Sequence, residues 1–332
     1  MPAARNILTP LLRLILLSAL FTLVVVIAPS FRNSGAQSFA QGQKQREERR
    51  GQDDVLRLHS DLVLVTVTVT DSSGTYAHGL ASKDFVIRED GAAQVIDSFS
   101  AEEAPFAAAI LIDMSGSMEY KFGLVRGAAA AFVESIRDND QVAVYGFNNK
   151  VRRFQDFTNN RYITDYVWDA EARDTTRLYD CLDEALDSLA KRPEKRRAIV
   201  MISDGWDSAS SKASMDSVMK RAHAAGATIY AVDLTDDEML RSSASYSVGL
   251  RRGRAEMQDF AAQTGGRYVH SQDGDKLEEA FTNIVDELRN QYTLTYYSTS
   301  DKRDGRFRRL TVTVSHPDLT ARSRRGYFAP KE

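Results

Sequence analysis

The sequence has few of the residues and motifs that define several protein classes. Cys181 is the only cysteine among 332 residues, so the chain cannot form an internal disulfide and its redox compartment cannot be read from disulfide bridges. No histidine lies near Cys181 in the sequence, which favours a small buried hydrophobe over a catalytic thiol. The formal net charge of −3 argues against nucleic-acid binding by the chain as a whole. We find no internal repeat.

The long apolar run of the sequence lies near the N-terminus. Arg5 and Arg13 precede LILLSALFTLVVVIA, which carries no charge over residues 14–28, and small residues such as Ser34 and Ala36 follow. This order is typical of a secretory signal, and the run is shorter than the roughly 20 residues of a membrane-spanning helix. We therefore predict a protein that is exported to the periplasm or the extracellular space, with this segment either cleaved or kept as a membrane anchor.

Strand patterns occur on both sides of the central part of the chain. LVLVTVTVTD (62–71) alternates and is rich in β-branched residues, and KDFVIREDGAAQVIDSFS (83–100) predicts two short strands around a turn. Three further strands are predicted at 291–298, 307–315 and 321–329. Each group is small for an independent sheet, so we infer that the two groups pair with each other in a small β-sandwich.

Between these flanks, the chain alternates strand and helix patterns. Strands are predicted at 106–113, 140–148, 151–158, 196–205, 227–234 and 267–271, and helices at 123–136, 178–191, 214–226, 255–266 and 275–291. This alternation predicts an α/β fold with a doubly wound, mainly parallel sheet, in which ligands bind outside the carboxyl ends of the strands. Residues 236–254 are predicted to form a long mobile loop near that edge.

The predicted organisation has five segments. Residues 1–40 are a signal peptide or N-terminal anchor, 41–54 a disordered linker, 55–104 the N-terminal part of the sandwich, 105–290 the α/β domain and 291–332 the C-terminal part of the sandwich. The α/β domain is therefore predicted to be an insertion in the sandwich.

Oxygen-bearing side chains cluster at the predicted ligand-binding edge. ILIDMSGSM supplies Asp113, Ser115 and Ser117, DTTRLYDCL supplies Thr176, and VMISDGWD supplies Asp204. Hydroxyl and carboxylate oxygens suit a hard divalent ion such as Mg²⁺. No histidine or thiol joins them, which argues against zinc.

This ordered pattern resembles the von Willebrand factor type A domain family over roughly residues 105–290. In that family D-x-S-x-S, a distant threonine and a distant aspartate form the metal-ion-dependent adhesion site. The resemblance implies Mg²⁺, with Mn²⁺ or Ca²⁺ as alternatives, held directly by the three hydroxyls and often through water by the two aspartates. The flanks look similar to a bacterial exported subgroup. One departure is Asp174-Thr175, where relatives often carry Gly-Gly.

The resemblance implies an adhesion-type binding module rather than an enzyme. Its ligand would be a protein that offers an Asp or Glu carboxylate, with no nucleic acid, and with membrane contact only through an uncleaved N-terminal segment. Trp206 is a candidate for the partner-binding rim, although packing within its own loop is equally consistent with the sequence. Asp180 is a second candidate, either on this rim or as a support behind the metal ligands, although a solvated carboxylate at a helix start is favoured.

Two alternative functions stay open. One is a scaffold whose metal site has decayed. The other is a phosphoryl-transfer enzyme with an aspartyl nucleophile, but such sites generally have a second carboxylate where this chain has Ser115. The sequence also has no Walker loop and no G-x-S-x-G elbow.

Overall fold

The computed structural model describes residues 62–163, 175–241 and 245–331. The predicted signal peptide or anchor, the predicted linker and Asp174 lie outside these residues. Within the described ranges, none of the helices has the length and apolar character that crossing a membrane requires.

The described chain contains fourteen strands and six α-helices. The strands are β1 (Leu62–Thr70), β2 (Phe85–Glu89), β3 (Ala92–Gln94), β4 (Ile96–Ser100), β5 (Phe106–Asp113), β6 (Gln141–Phe147), β7 (Val151–Thr158), β8 (Arg196–Ser203), β9 (Ala227–Asp233), β10 (Tyr268–His270), β11 (Tyr292–Tyr297), β12 (Phe307–Val314), β13 (Thr320–Ser323) and β14 (Gly326–Phe328). The helices are α1 (Phe122–Ser135), α2 (Leu178–Ala190), α3 (Met215–Ala225), α4 (Asp237–Arg241), α5 (Ser245–Thr264) and α6 (Gly274–Arg289).

The central sheet has six strands in the order β10-β9-β8-β5-β6-β7. All neighbouring strands are parallel except β6 and β7, which are antiparallel. Every residue of β5 is buried, as its continuous apolar sequence predicts for a strand covered on both faces. Helices α1 and α6 cover one face, and α2, α3 and α5 cover the other. The predicted doubly wound α/β fold is therefore confirmed.

The flanking strands form two four-stranded antiparallel sheets, each built from both ends of the described chain. Their orders are β13-β1-β11-β4 and β14-β12-β2-β3. Apolar side chains from the two sheets, among them Val65, Leu294, Ile87 and Leu310, share one core. The predicted pairing of the two flanks is confirmed, whereas the exact boundaries of the five segments stay a prediction.

Two strand predictions in the flanks need correction. The segment 83–100 contains a third strand, β4, which joins the sheet opposite to that of β2 and β3. The single strand predicted at 321–329 is two strands, because the chain crosses from one sheet to the other after Ser323. At that crossing the Arg324 guanidinium donates to the carbonyls of Leu64 (2.7 Å) and His223 (3.2 Å), which fixes the bend.

Two short crossings join the central sheet to the sandwich, and one buried arginine binds both. Residues 101–105 connect β4 to β5, and residues 290–291 connect α6 to β11. Arg196, at the start of β8, is only 1% exposed. Its guanidinium donates to five carbonyl oxygens, those of Glu102 (2.8 Å), Ala104 (3.4 Å), Leu288 (3.1 Å), Arg289 (2.7 Å) and Gln291 (2.6 Å). The crossings therefore meet at the amino end of the parallel strands, opposite the carboxyl edge.

Candidate metal-binding site

Asp113 ends β5 and anchors the loop that follows. Its side chain is fully buried. Oδ1 accepts a hydrogen bond from the backbone N–H of Ser115 (2.8 Å), which turns the chain sharply after the strand. The hydroxyl oxygens of Ser115 and Ser117 then lie 3.0 Å apart, at the start of a short 3-10 helix, Gly116–Lys121. The loop therefore brings two hydroxyl oxygens to one point.

Asp204 reaches the same point from the neighbouring strand. Because β5 and β8 are parallel and Ile112 lies opposite Ile202, their carboxyl ends meet at one edge. The Ser117 hydroxyl donates to Oδ2 of Asp204 (2.6 Å), and the backbone N–H of Trp206 donates to Oδ1 (3.2 Å). The two motifs that the sequence places far apart are thus in direct contact.

Ser203 joins the two aspartates and was missed by sequence reasoning. It is fully buried, its hydroxyl donates to Oδ2 of Asp113 (2.5 Å), and its oxygen accepts from the backbone N–H of Gly205 (2.8 Å). The signal available in the sequence is a hydroxyl residue that ends an apolar strand beside a candidate ligand. Ser203 positions Asp113 against the loop of residues 204–214, here called the Asp204 loop.

Thr176 lies on the same pocket, held by the loop after Asp204. Its backbone N–H donates to the Ser208 hydroxyl (3.0 Å), and its carbonyl accepts from the Ser208 N–H (3.0 Å). The pocket has a volume of about 300 Å³ and is lined by Ser115, Gly116, Ser117, Thr176, Asp204, Trp206, Ser208, Met239 and Tyr246. The structure therefore brings four of the five predicted ligands to one pocket, with Asp113 behind Ser115 and Ser117.

Two buried carboxyl groups lie close together at this edge, and a cation bound beside them would offset their mutual repulsion. Burial and the charge of Asp204 raise the pKa of Asp113 above its usual range, although hydrogen bonds from Ser203 and Ser115 oppose the shift. Burial likewise raises the pKa of Asp204. In the described part of the chain, no three His, Cys, Asp or Glu side chains group together in a way that could hold a metal. A metal here needs the hydroxyl oxygens as well, and such an all-oxygen set fits Mg²⁺.

The two candidate rim residues lie in different places. Trp206 lines the pocket. Asp180 does not: it is only 7% exposed and accepts the backbone N–H groups of residues 211–213. Burial raises the pKa of Asp180, but these hydrogen bonds and one from Arg177 outweigh it, so the net pKa is lowered. The solvated alternative is therefore wrong for Asp180, which holds a loop at the start of α2 and does not line this pocket; a supporting role behind the ligands stays a prediction.

Helices stand where a loop was predicted beside the pocket. Residues 236–254 contain α4 and the first ten residues of α5, which begins well before the predicted 255. Gly249 and Gly253 allow this helix to lie directly on the Asp204 loop, since an added Cβ would stand 2.5 Å from the Trp206 ring at Gly249 and 2.4 Å from the Gly205 carbonyl carbon at Gly253. Two glycines four residues apart were the available sequence signal for such close packing.

One family model and several solved structures are similar to this chain. A family model for the von Willebrand factor type A domain matches residues 109–283. Among solved structures, the chain is similar to a von Willebrand factor type A protein from Catenulispora acidiphila, with 12% identity, a TM-score of 0.46, and coverage of 82% of this chain and 74% of that one. It is also similar to BatB from Bacteroides thetaiotaomicron, with 13% identity, a TM-score of 0.41, and coverage of 55% and 98%.

A third similar structure is proximal thread matrix protein 1 from the mussel byssus, solved with zinc in its MIDAS motif. The identity is 15% and the TM-score 0.45, with coverage of 60% of this chain and 49% of that one. No curated protein sequence matches the chain.

Proposed function

Because the chain belongs to the von Willebrand factor type A domain family, we propose that it is an exported, Mg²⁺-dependent, adhesion-type module that binds a protein partner. The observation that carries this proposal is the meeting of the Ser115, Ser117, Thr176 and Asp204 side chains around one pocket, with Asp113 behind them. The partner would contribute an Asp or Glu carboxylate.

The donor set explains why such a site binds a partner rather than only a metal. The hydroxyls of Ser115, Ser117 and Thr176 would hold the ion directly, and Asp113 and Asp204 would act through water. Bound Mg²⁺, which prefers six oxygen ligands, would offer an electropositive position open to a carboxylate from another protein. Mn²⁺ or Ca²⁺ would use the same oxygens.

The proposed location follows from the N-terminal segment. An exported module would work in the periplasm or outside the cell, either free or anchored by residues 1–40. Its ligand would be a protein and not a nucleic acid, in keeping with the formal net charge of −3.

The enzymatic alternative is disfavoured by the contacts of Asp113. An aspartyl nucleophile needs a carboxylate oxygen that substrate can reach, but Asp113 is fully buried and both of its oxygens accept hydrogen bonds, from Ser115 and Ser203. We therefore propose a non-enzymatic role.

Calorimetric titration of Mg²⁺ into the purified full-length chain tests the proposal. We expect saturable binding that is lost in Asp113→Ala and in Ser117→Ala. Ser211→Ala is the matched control, because its hydroxyl accepts a hydrogen bond from Arg177 and does not line the pocket. Absence of binding in the unchanged protein, both alone and with acidic peptides, would favour the decayed scaffold.

A further inference from the structure

The pocket that holds the candidate metal ligands also has an apolar wall. Trp206, Met239 and Tyr246 line it together with the hydroxyl residues, and the Tyr246 side chain makes a hydrogen bond with Ser117. The Trp206 and Tyr246 rings meet edge to face, with their centroids 4.7 Å apart and their planes at 78°. Met239 is 46% exposed. The pocket thus combines the candidate metal ligands with apolar surface.

This wall is held by packing and ion pairs. The glycine contacts described above seat α5 on the Trp206 ring. Arg254 of α5 donates to Asp233 at the end of β9 (2.7 Å) and to Asp237 of α4 (3.1 Å), and Arg251 donates to the Leu240 carbonyl (2.6 Å). Both helices are therefore fastened to each other and to the central sheet, so the wall is formed before any ligand arrives.

The lining also restricts the kind of group that fits beside a carboxylate. Of the described residues around this pocket, only Asp204 is charged, and it belongs to the candidate metal site. A basic or acidic neighbouring group in the ligand would find no charge partner on the wall. A volume of about 300 Å³ is near the lower end of the range for ligand pockets, which suits one or two side chains rather than a broad surface.

We propose that this wall is a specificity subsite, and that the partner presents an Asp or Glu residue followed directly by a large aliphatic or aromatic side chain. This inference rests on the proposed metal-dependent function and adds the class of partner. Burial of a leucine- or phenylalanine-sized group against the wall raises the affinity about tenfold or more over the carboxylate alone.

Fluorescence anisotropy with labelled peptides and the full-length chain tests the subsite. The probes are acetyl-Gly-Asp-Gly-amide, acetyl-Gly-Asp-Leu-amide, acetyl-Gly-Asp-Phe-amide and acetyl-Gly-Asn-Leu-amide, each in Mg²⁺ and in chelator. We expect the Leu and Phe peptides with Asp to bind at least tenfold more tightly than the Asp-Gly-amide peptide, in Mg²⁺ only, and the Asn peptide not to bind.

Variants of the wall complete the test. Trp206→Ala and Met239→Ala are both expected to remove the preference for Leu and Phe, and in Met239→Ala the calorimetric Mg²⁺ binding is expected to be unchanged. Because Met239 is half exposed, its replacement does not endanger the fold. Val248→Ala is the matched control, since Val248 is an apolar residue of α5 that is 60% exposed and does not line the pocket.

The outcomes separate the two proposals. Equal Mg²⁺-dependent affinities for the Asp-Gly, Asp-Leu and Asp-Phe peptides would overturn the subsite and leave the metal-dependent function standing. A preference that survives both wall variants would also overturn it. Absence of saturable Mg²⁺ binding would overturn the proposed function and the subsite together.

Discussion

Replacement of Arg196 by methionine is expected to destabilise the connection between the central sheet and the sandwich. The side chain is almost fully buried and donates to five carbonyls, three in the two crossings and two at the end of α6. Methionine fills much of the same space but donates no hydrogen bond. The substitution therefore tests the hydrogen bonds rather than the volume.

The expected magnitude follows from the bond lengths. Three of the five hydrogen bonds, to the carbonyls of Glu102, Arg289 and Gln291, measure 2.8 Å or less. A buried carbonyl without a donor costs about 1–3 kcal/mol, and removal of the buried guanidinium returns part of this through its lost desolvation cost. We expect a net loss of about 3–5 kcal/mol in the free energy of unfolding.

Arg197→Met is the matched control for this measurement. Arg197 follows in the same strand and donates to the carbonyls of Arg192, Glu194 and Ala225, none of which belongs to a crossing. Urea unfolding in chelator, followed by circular dichroism, gives the stability, and hydrogen exchange at residues 101–105 locates the change. Equal losses in the two variants, or unchanged exchange at the crossing in Arg196→Met, would refute the reasoning.

Three further predictions follow from buried groups and close contacts. Burial lowers the pKa of His223 from 6.5 to about 4. The folded state thus resists a proton that the unfolded chain accepts. As the pH falls from 7 to 4, the free energy of unfolding from urea titrations should decrease by about 3 kcal/mol more in the unchanged protein than in the His223→Gln variant. Gly253→Ala should lower the free energy of unfolding by about 1–3 kcal/mol, because the new Cβ clashes with Gly205. Gly123→Ala in α1, where the Cβ would meet open space, should raise it by up to about 1 kcal/mol. Equal effects of the two substitutions on the melting temperature would contradict the close packing. Asp113→Asn should raise the free energy of unfolding in chelator by about 1–3 kcal/mol, because it removes a buried charge beside Asp204. Mg²⁺ should raise the melting temperature of the unchanged protein but not of this variant.

The sequence alone is sufficient to predict the central sheet and the proximity of the Asp113 motif to Asp204. The apolar run of β5 changes abruptly to Asp113 and two serines, and the rule that parallel strands share a carboxyl edge brings Asp204 beside them. Local pattern and one topological rule suffice there, because each strand is buried on both faces and its composition reflects that burial.

The parts that escaped prediction depend on long-range contacts. The first ten residues of α5 contain three arginines and two glycines, a composition typical of a loop, but packing of Gly249 and Gly253 on the Asp204 loop outweighs the low helix propensity of glycine. Asp180 begins a helix, and nothing near it in sequence indicates that residues 211–213 return to bind it. The division of 321–329 between two sheets likewise depends on the distant carbonyls that hold Arg324.

The position of the two crossings determines how a pulling force would travel through the molecule. Both crossings lie at the amino end of the parallel strands of the central sheet, whereas the candidate ligands stand at the carboxyl end, about 26 Å away along an eight-residue strand. Tension between a captured partner and the sandwich would therefore run lengthwise through β5 and β8. The hydrogen bonds between those strands lie across the load and would have to break together rather than one at a time. For a module that binds a partner as proposed, such a shear geometry would resist extension better than an arrangement in which the bonds break one by one.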